Sequence, residues 1–325
     1  MSLSINTNTS AMVALETLNA TQTQLSATEN AVSTGKKVAN ASDSPAAFGI
    51  ASQMNGNIAG QGAVNDGLSF ASTVVSSTNS AANQILSVLA EVQAAVTTIG
   101  NNQGSTTSLA QINTEITGYL KQIDTIANNA TTNGVNLLVS SASAVPTGTF
   151  NGITAASVVY VTGLQGSTAT ISNLFGIING VSSVTATGST ASLTEALGLS
   201  TGVDSNGLAT ANGFLTTDGS LAASWGGASG SFDLTSAIAA VQKAITAMTN
   251  VTSELGQNTK NIANMTTFGQ TVSDNLTAGV GALTDADMSA ESAKLTSLQT
   301  KQSLAIKSLS IANGQSQNIL SLFQS

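Results

Sequence analysis

The sequence lacks several residue types on which common protein chemistries depend. Its 325 residues include no Cys, no His and only two Pro, and all of its basic residues are Lys, because no Arg occurs. A chain without Cys and His cannot form disulfides, Cys-nucleophile or His-base sites, or the common zinc, haem and iron–sulfur centres. We therefore expect no catalytic residues, no cofactor and no metal site, and a structural or binding role.

Charge is also scarce. Charged residues make up 7% of the chain, against roughly 25% in an ordinary globular domain, and the formal net charge is -8. An acidic chain without Arg lacks the basic surface of a nucleic-acid-binding protein. No apolar run approaches the roughly 20 residues of a membrane-spanning helix, and no apolar signal segment precedes Lys36. We expect no nucleic-acid partner, no membrane insertion, and export without a cleaved signal peptide.

Both ends of the chain carry the spacing of a coiled-coil seam. Apolar residues recur every seventh position near the N-terminus and in steps of three and four near the C-terminus. The predicted seam, which we interpret as a polymerisation core, comprises Ala11, Leu18, Leu25, Val32, Leu295, Leu298, Ala305, Leu309, Ala312, Ile319 and Phe323.

Further apolar residues lie off this seam near the C-terminus. They are Leu304, Ile306, Ile311, Leu320 and Leu322. Pairing within a single chain would leave them in water, so we infer that they are buried between chains.

Between the ends, local signals divide the chain. Gly35 and the segment Asp43-Ser44-Pro45 predict a helix stop and restart, with Asp43 or Ser44 as the N-cap. A long helix over about 54–99 and a shorter one over about 109–126 should pack antiparallel. Asn133-Gly134 predicts a tight turn into a β-like segment at 135–139, and the helical pattern returns at Leu234.

Residues from about 140 to 230 are rich in Ser, Thr, Gly and Ala, and helical spacing fades there. Such a segment could be a disordered linker, but its apolar residues are sufficient for a small core, and we favour a folded, strand-rich insert. The candidate core residues are Val158, Val159, Tyr160, Leu174, Phe175, Ile177, Ile178, Phe214, Leu221 and Trp225.

Together these patterns predict a mainly α fold, in which both termini form a long antiparallel helical hairpin or coiled-coil rod. A strand-rich insert, β or α+β, occupies its tip. We expect a terminal coiled-coil core domain at 1–43 and 283–325, a helical rod domain with a β-hairpin at 44–140 and 234–282, and a surface-exposed insert at 141–233.

Several motifs then resemble those of bacterial flagellins, in the same order along the chain. STGKKVANASD at residues 33–43 resembles the segment Ser-Gly-x-Arg-Ile-x-x-Ala-x-Asp, NDGLS at 65–69 resembles Asn-Asp-Gly-Ile-Ser, and TTNGV at 131–135 resembles the Phe-Asn-Gly turn. NLTA at 275–278, DAD at 285–287 with Glu291, and the segment 312–322 match near the other end. Several motifs in register form a far stronger signal than any one alone.

The resemblance implies a structural subunit of the bacterial flagellar filament, a homopolymer that is secreted and extracellular. It also implies type III export with a chaperone at the C-terminal helix, and assembly with filament cap and hook-junction proteins. Polar motif residues would then contact neighbouring subunits or the rod, and these are Lys37, Asp43, Asn65, Asp66, Asp285, Asp287 and Glu291. Lys37 stands where the family usually has Arg, and Ala282 replaces another, so ion pairs between subunits would be weaker or shifted.

A segment that a host Toll-like receptor recognises in flagellins is degenerate in this sequence. An ungapped alignment on residues 65–67 places its Arg-Val-Arg-Glu-Leu motif on residues 87–91, where both Arg are lost. The aligned positions include Ser87, Leu89 and Glu91, and Glu115 is the one recognised residue retained. We predict poor receptor activation.

The sequence leaves two alternatives to a filament subunit. A hook–filament junction protein or a coiled-coil surface adhesin would share helical ends. Asp285-Ala286-Asp287 lacks the spaced ligands of a calcium loop, so we interpret it as a helix cap. Gly60-x-Gly62 lacks the rest of a dinucleotide motif, so we assign these glycines to close helix packing.

Overall fold

The computed structural model describes residues 8–139, 155–179, 192–203, 208–216, 218, 220–222 and 233–323. In chain order its elements are α1 (Thr9–Thr34), α2 (Pro45–Asn101), α3 (Thr106–Asn129), β1 (Val158–Val161), β2 (Thr168–Ile171), α4 (Phe175–Asn179), α5 (Leu193–Ala196), β3 (Ser200–Val203), β4 (Ala209–Asn212), α6 (Leu234–Thr284) and α7 (Met288–Phe323). The fold class is therefore confirmed, since long helices from both ends surround a small strand-containing insert in the sequence.

The chain divides into two compact units. We call residues 1–60 with 272–325 the terminal unit, and residues 61–271 the central unit. The insert and the helical segments around it thus belong to one unit. The division into three domains made from the sequence stays a prediction.

In the terminal unit α1 lies antiparallel to α7. The Asn8 side chain caps α1 by accepting from the Ala11 N–H at 3.0 Å, and its Nδ2 donates to the Ala312 carbonyl at 2.8 Å. α1 ends where predicted, because Gly35 adopts a left-handed conformation (φ 71°) and its N–H donates to the Ala31 carbonyl at 2.9 Å. The bond from Asn8 to Ala312 fixes the register of the two helices at the N-terminal end of α1.

α2 restarts at Pro45, where a missing N–H costs no helical hydrogen bond. Of the two predicted N-cap residues, Asp43 and Ser44, Ser44 occupies the position directly before the helix and Asp43 does not cap it. The Asp43 Oδ2 instead accepts the N–H groups of Ala39 and Asn40, both at 2.9 Å, and so closes the preceding loop. Ser44, directly before the helix, contributes its carbonyl to the Phe48 N–H.

The central unit has one continuous apolar core, to which the helices and the insert both contribute. Ser105 caps α3 through the Ser108 N–H at 3.3 Å, and α3 returns along α2 so that residues 126–130 lie beside 77–84. The predicted antiparallel packing is confirmed. The largest fully buried side chains of this core are Leu68, Ile85, Leu89, Ile99, Ile116, Leu120, Ile123, Leu137, Leu138, Ile171, Ile178 and Phe214.

The Asn133-Gly134 turn is confirmed. Both residues have positive φ (50° and 81°), as a type I′ turn requires, and Thr132 and Val135 exchange two hydrogen bonds across it. The β-like segment predicted over 135–139 is wrong in extent, because no strand forms there and Val135 makes only isolated bridges, to Thr132 and to Ala155. The buried Asn136 side chain replaces a strand ladder there, donating to the Ala127 carbonyl at 2.8 Å and accepting from the Leu138 N–H at 2.9 Å.

In the described part of the insert, β1 pairs antiparallel with β2, and β3 pairs antiparallel with β4. Side chains alternate between two faces of a strand, so Val158 and Tyr160 are buried while Val159 is exposed. Ile177 on α4 is exposed as well, so the assignment of Val159 and Ile177 to the core is wrong. Trp225 lies outside the described residues. Among the other candidates Leu221 is half-buried, and the buried ones are Val158, Tyr160, Leu174, Phe175, Ile178 and Phe214.

Candidate assembly surface

The pairing of α1 with α7 buries one stripe on each helix. The predicted seam residues Leu25, Leu298, Ala305 and Ala312 are buried. The remaining described seam residues are half-buried, namely Ala11, Leu18, Val32, Leu295 and Leu309. The side chains of Ile319 and Phe323 lie outside the described residues. A single chain therefore covers this seam only partly.

Two buried seam residues were missed because they are polar. Thr21 and Thr28 lie on the buried stripe of α1 beside Leu25, and a search for apolar spacing passes over them. The Thr21 hydroxyl donates to the Thr17 carbonyl at 2.7 Å. The Thr28 hydroxyl is buried and has no hydrogen-bond partner among the described residues, which costs roughly 1–3 kcal/mol.

Large apolar side chains are exposed on both seam helices. On α7, Leu304 is 67% exposed and Ile311 73%, and Ile306 is also exposed, in agreement with the prediction that pairing within one chain leaves them in water. On α1, Met12 and Val13 are 65% and 63% exposed. We call these five residues the outer apolar faces. Leu320 and Leu322 have side chains outside the described residues.

The break between α6 and α7 contacts the loop after α1. The N–H of Lys37 donates to the Thr284 carbonyl at 2.8 Å, and the Ala286 N–H donates to the Gly35 carbonyl at 2.9 Å. Lys37 Nζ donates to the Ala282 carbonyl at 2.9 Å, one of the last carbonyls of α6. The two positions at which the resemblance implies Arg, 37 and 282, are thus joined by a lysine–carbonyl bond within the chain.

Acidic motif residues near this break have local partners. Asp287 caps α7, because its Oδ1 accepts the N–H groups of Ser289 and Ala290 at 2.9 and 3.2 Å. Asp285 is exposed and its Oδ1 accepts from the Thr284 hydroxyl at 3.3 Å. Glu291 lies 3.4 Å from Lys294 on the same helix, an exposed type of pair that adds little stability. The helix cap that we expected in the segment 285–287 is therefore Asp287.

The Asn65-Asp66 motif lies on α2 in the central unit. Asp66 is exposed, whereas Asn65 is half-buried and accepts from the buried Gln61 side chain at 3.3 Å. A methyl group on Gly269 of α6 would meet Asn65 Oδ1 and Gln61 Nε2, so this glycine permits close approach. Gly62, to which close packing was assigned from the sequence, faces open space, and that assignment is wrong.

The segment aligned with the host-receptor motif is mixed in exposure. Ser87 and Glu91 on α2 are exposed, but Leu89 is fully buried in the core. Glu115 on α3 is exposed and accepts from the Tyr119 hydroxyl at 3.1 Å. This hydrogen bond, desolvation and the charges of Glu115 and Glu91 raise the pKa of Tyr119. The exposed surface here is acidic.

Neither a metal cluster nor a membrane span is found in the described part of the chain. No group of three or more acidic side chains there could hold a metal ion. No helix among those residues is long and apolar enough to cross a bilayer.

Comparison with known proteins identifies the family. The profile described as the bacterial flagellin N-terminal helical region matches residues 5–143, and that of the bacterial flagellin C-terminal helical region matches residues 238–323. Flagellin FljK of Caulobacter vibrioides is 30% identical over 321 residues, which cover 99% of this chain and 98% of that protein. The chain belongs to the bacterial flagellin family.

Two further flagellins match over nearly their whole length. A flagellin of Brucella melitensis is 30% identical over 99% of both chains, and Flagellin C of Rhizobium meliloti is 31% identical over 99% of both. The chain is thus a structural subunit of the bacterial flagellar filament. The members of this family are extracellular structural proteins that polymerise with copies of themselves. The seam helices α1 and α7 fall within the two matched regions.

Proposed function

We propose that the outer apolar faces of α1 and α7 are covered by neighbouring subunits, and that the predicted seam residues form the polymerisation core of the filament. One observation carries this proposal, namely that α1 and α7 pair with each other and still expose Met12, Val13, Leu304, Ile306 and Ile311. Burying apolar area contributes about 25 cal/mol per Å², so these faces supply a driving force for lateral packing. Few charges would be stranded, because the chain has few.

We expect purified chain, heated and then cooled with filament seeds, to form long tubes visible by electron microscopy. A hook–filament junction protein or a coiled-coil adhesin shares helical ends but does not extend a filament. Failure of intact, unmodified protein to elongate seeds would contradict the proposal and favour the junction role. The control is the same protein without seeds, which reports spontaneous nucleation.

Export and partner contacts are further parts of the proposal. We infer type III export, a chaperone that covers the C-terminal helix, and later contact with cap and hook-junction proteins. The exposed apolar residues Leu304, Ile306 and Ile311 support the chaperone contact, because α7 requires a cover before it assembles.

The polar motif residues are proposed to contact neighbouring subunits or the rod. For Lys37, Asp43, Asp285, Asp287 and Glu291 the support is their exposed or half-buried position in the terminal unit. Asn65 and Asp66 are proposed as rod contacts in the central unit. Lys37 already donates to a carbonyl within its own chain, which favours a shifted contact in place of the family's ion pair.

Two absences of function are also proposed. Poor activation of the host receptor is supported by Ser87 in place of Arg and by the acidic exposed side chains Glu91 and Glu115. The lack of enzyme activity is supported by the complete absence of His and Cys from the sequence.

A further inference from the structure

The carboxyl group of Asp124 is buried on the side of α3 that faces the insert. Its side chain is 1% exposed, and no Lys of the described residues lies within ion-pair distance. Asp is rarely buried without a charged partner, because moving an ionised carboxylate out of water is costly. The filament function described above uses this group in no way.

Three donors from the insert converge on this carboxyl. The Thr194 N–H donates to Oδ1 at 3.0 Å, the Thr194 hydroxyl donates to Oδ2 at 2.8 Å, and the Ala209 N–H donates to Oδ2 at 3.0 Å. Thr194 lies on α5 and Ala209 begins β4, so one side chain holds two separate elements of the insert against α3. Asn212 adds a second attachment through the Thr117 hydroxyl at 3.1 Å.

Burial dominates the electrostatics of this site. Desolvation, with a smaller contribution from the nearby Glu195 charge, raises the pKa of Asp124 to about 7, although the three hydrogen bonds lower it. Glu195 is the titratable side chain of α5, whereas β3 and β4 carry none. On α3 itself Lys121, one turn earlier, is exposed.

The geometry accommodates a proton without any heavy atom moving. A proton on Oδ2 can be donated to the Thr194 hydroxyl oxygen, and that hydroxyl can turn its own hydrogen toward Ser192 Oγ, 3.0 Å away. The Ala209 and Thr194 N–H groups keep their acceptors. Both forms of the carboxyl are therefore hydrogen-bonded in the docked insert, and only the ionised form bears an uncompensated charge.

We propose that Asp124 is a pH-sensitive latch that fixes the insert to α3 and holds it more tightly when protonated than when ionised. The sign follows from linkage. The docked carboxyl titrates near 7 and a solvated one near 3.8, so docking takes up a proton between these values. Docking therefore weakens as the pH rises through this window and is constant above and below it.

Hydrogen exchange of the Thr194 and Ala209 amides tests the latch. With rates corrected for intrinsic exchange, the opening constant of these amides is expected to rise about 50-fold between pH 5 and pH 7. In Asp124→Asn it should not depend on pH. It should already be raised at pH 5, because the Asn Nδ2 cannot accept from the Ala209 N–H.

The matched control is Glu195→Gln, which keeps an acceptor for its capping-box bond to the Ser192 N–H. It should retain most of the pH dependence. Loss of that dependence in Glu195→Gln, or equal dependence in the wild type and Asp124→Asn, would overturn the proposal. If Asp124→Asn does not fold, the proposal is tested by the ¹³Cγ titration of Asp124 in the wild type. A midpoint near 7 is expected, and a midpoint near 4 would overturn the proposal.

Discussion

Deletion of residues 295–325 is expected to eliminate filament growth while the central unit stays folded. The deletion removes most of α7, including the buried residues Leu298, Ala305 and Ala312 and the exposed Leu304 and Ile311. α1 then loses the partner that covers Leu25, and the proposed contacts to other subunits are lost as well. Most helical stability in proteins comes from tertiary packing, so α1 is expected to lose structure when α7 is removed.

Two measurements separate assembly from folding in this variant. Sedimentation with filament seeds should recover no truncated chain in the pellet, and thermal unfolding should retain the main transition of the central unit, whose core lies within residues 64–262. The full chain, tested beside it, is the reference for both. Long filaments from the truncated chain would show that α7 is not needed for polymerisation.

Replacement of Phe214 by Ala is expected to lower the free energy of unfolding by about 3–5 kcal/mol, as for other fully buried aromatic residues. Phe214 is 0% exposed and belongs to the core that the insert shares with α2, α3 and α6. The backbone at this position is fixed by Asn212, whose side-chain oxygen accepts the N–H groups of Phe214 and Leu215. The cavity left by the ring therefore has little freedom to collapse.

Phe268→Ala is the matched control, because Phe268 lies in the same unit and is 69% exposed. Chemical denaturation of the unpolymerised protein should show a change within about 0.5 kcal/mol for this variant, as for other exposed positions. Equal effects of the two substitutions would contradict a shared core. An unchanged stability of Phe214→Ala would mean that the insert is not packed on the helices.

The helical framework was predictable because its signals are local. Gly35 can adopt the left-handed conformation that ends α1, Pro45 tolerates the first turn of α2, and Asn133-Gly134 permits a type I′ turn. Each of these depends on the backbone preferences of one or two residues. The β-like segment after the turn does not extend to 139, because the Asn136 side chain accepts from the Leu138 N–H in place of a strand partner.

The candidate site was predictable in part. Apolar spacing identified Leu25 and Leu298, but it missed Thr28, whose β-branched side chain fills a seam position in spite of its hydroxyl. Apolar spacing also missed Asp124, although Leu120 and Ala127 place it on the buried stripe of α3. The partners that make its burial possible come from Thr194 and Ala209, far along the chain, and local spacing carries no information about them.

The most direct test of the account is thiol accessibility at the outer apolar faces. The chain has no Cys, so a single introduced thiol reacts with maleimide at one known site. Ile311→Cys and Leu304→Cys probe α7, and Thr170→Cys, at an exposed position of β2, is the control. Labelling is measured in the unpolymerised chain and in filaments.

Covering of these faces by neighbouring subunits predicts fast labelling of all three variants before assembly. In filaments the two α7 thiols should react at least about tenfold more slowly, since only accessible thiolates are attacked, and the Thr170→Cys thiol should react as before. Equal labelling of Ile311→Cys and Leu304→Cys in the two states would show that the faces remain in water. That result would contradict assembly through the outer apolar faces of α7.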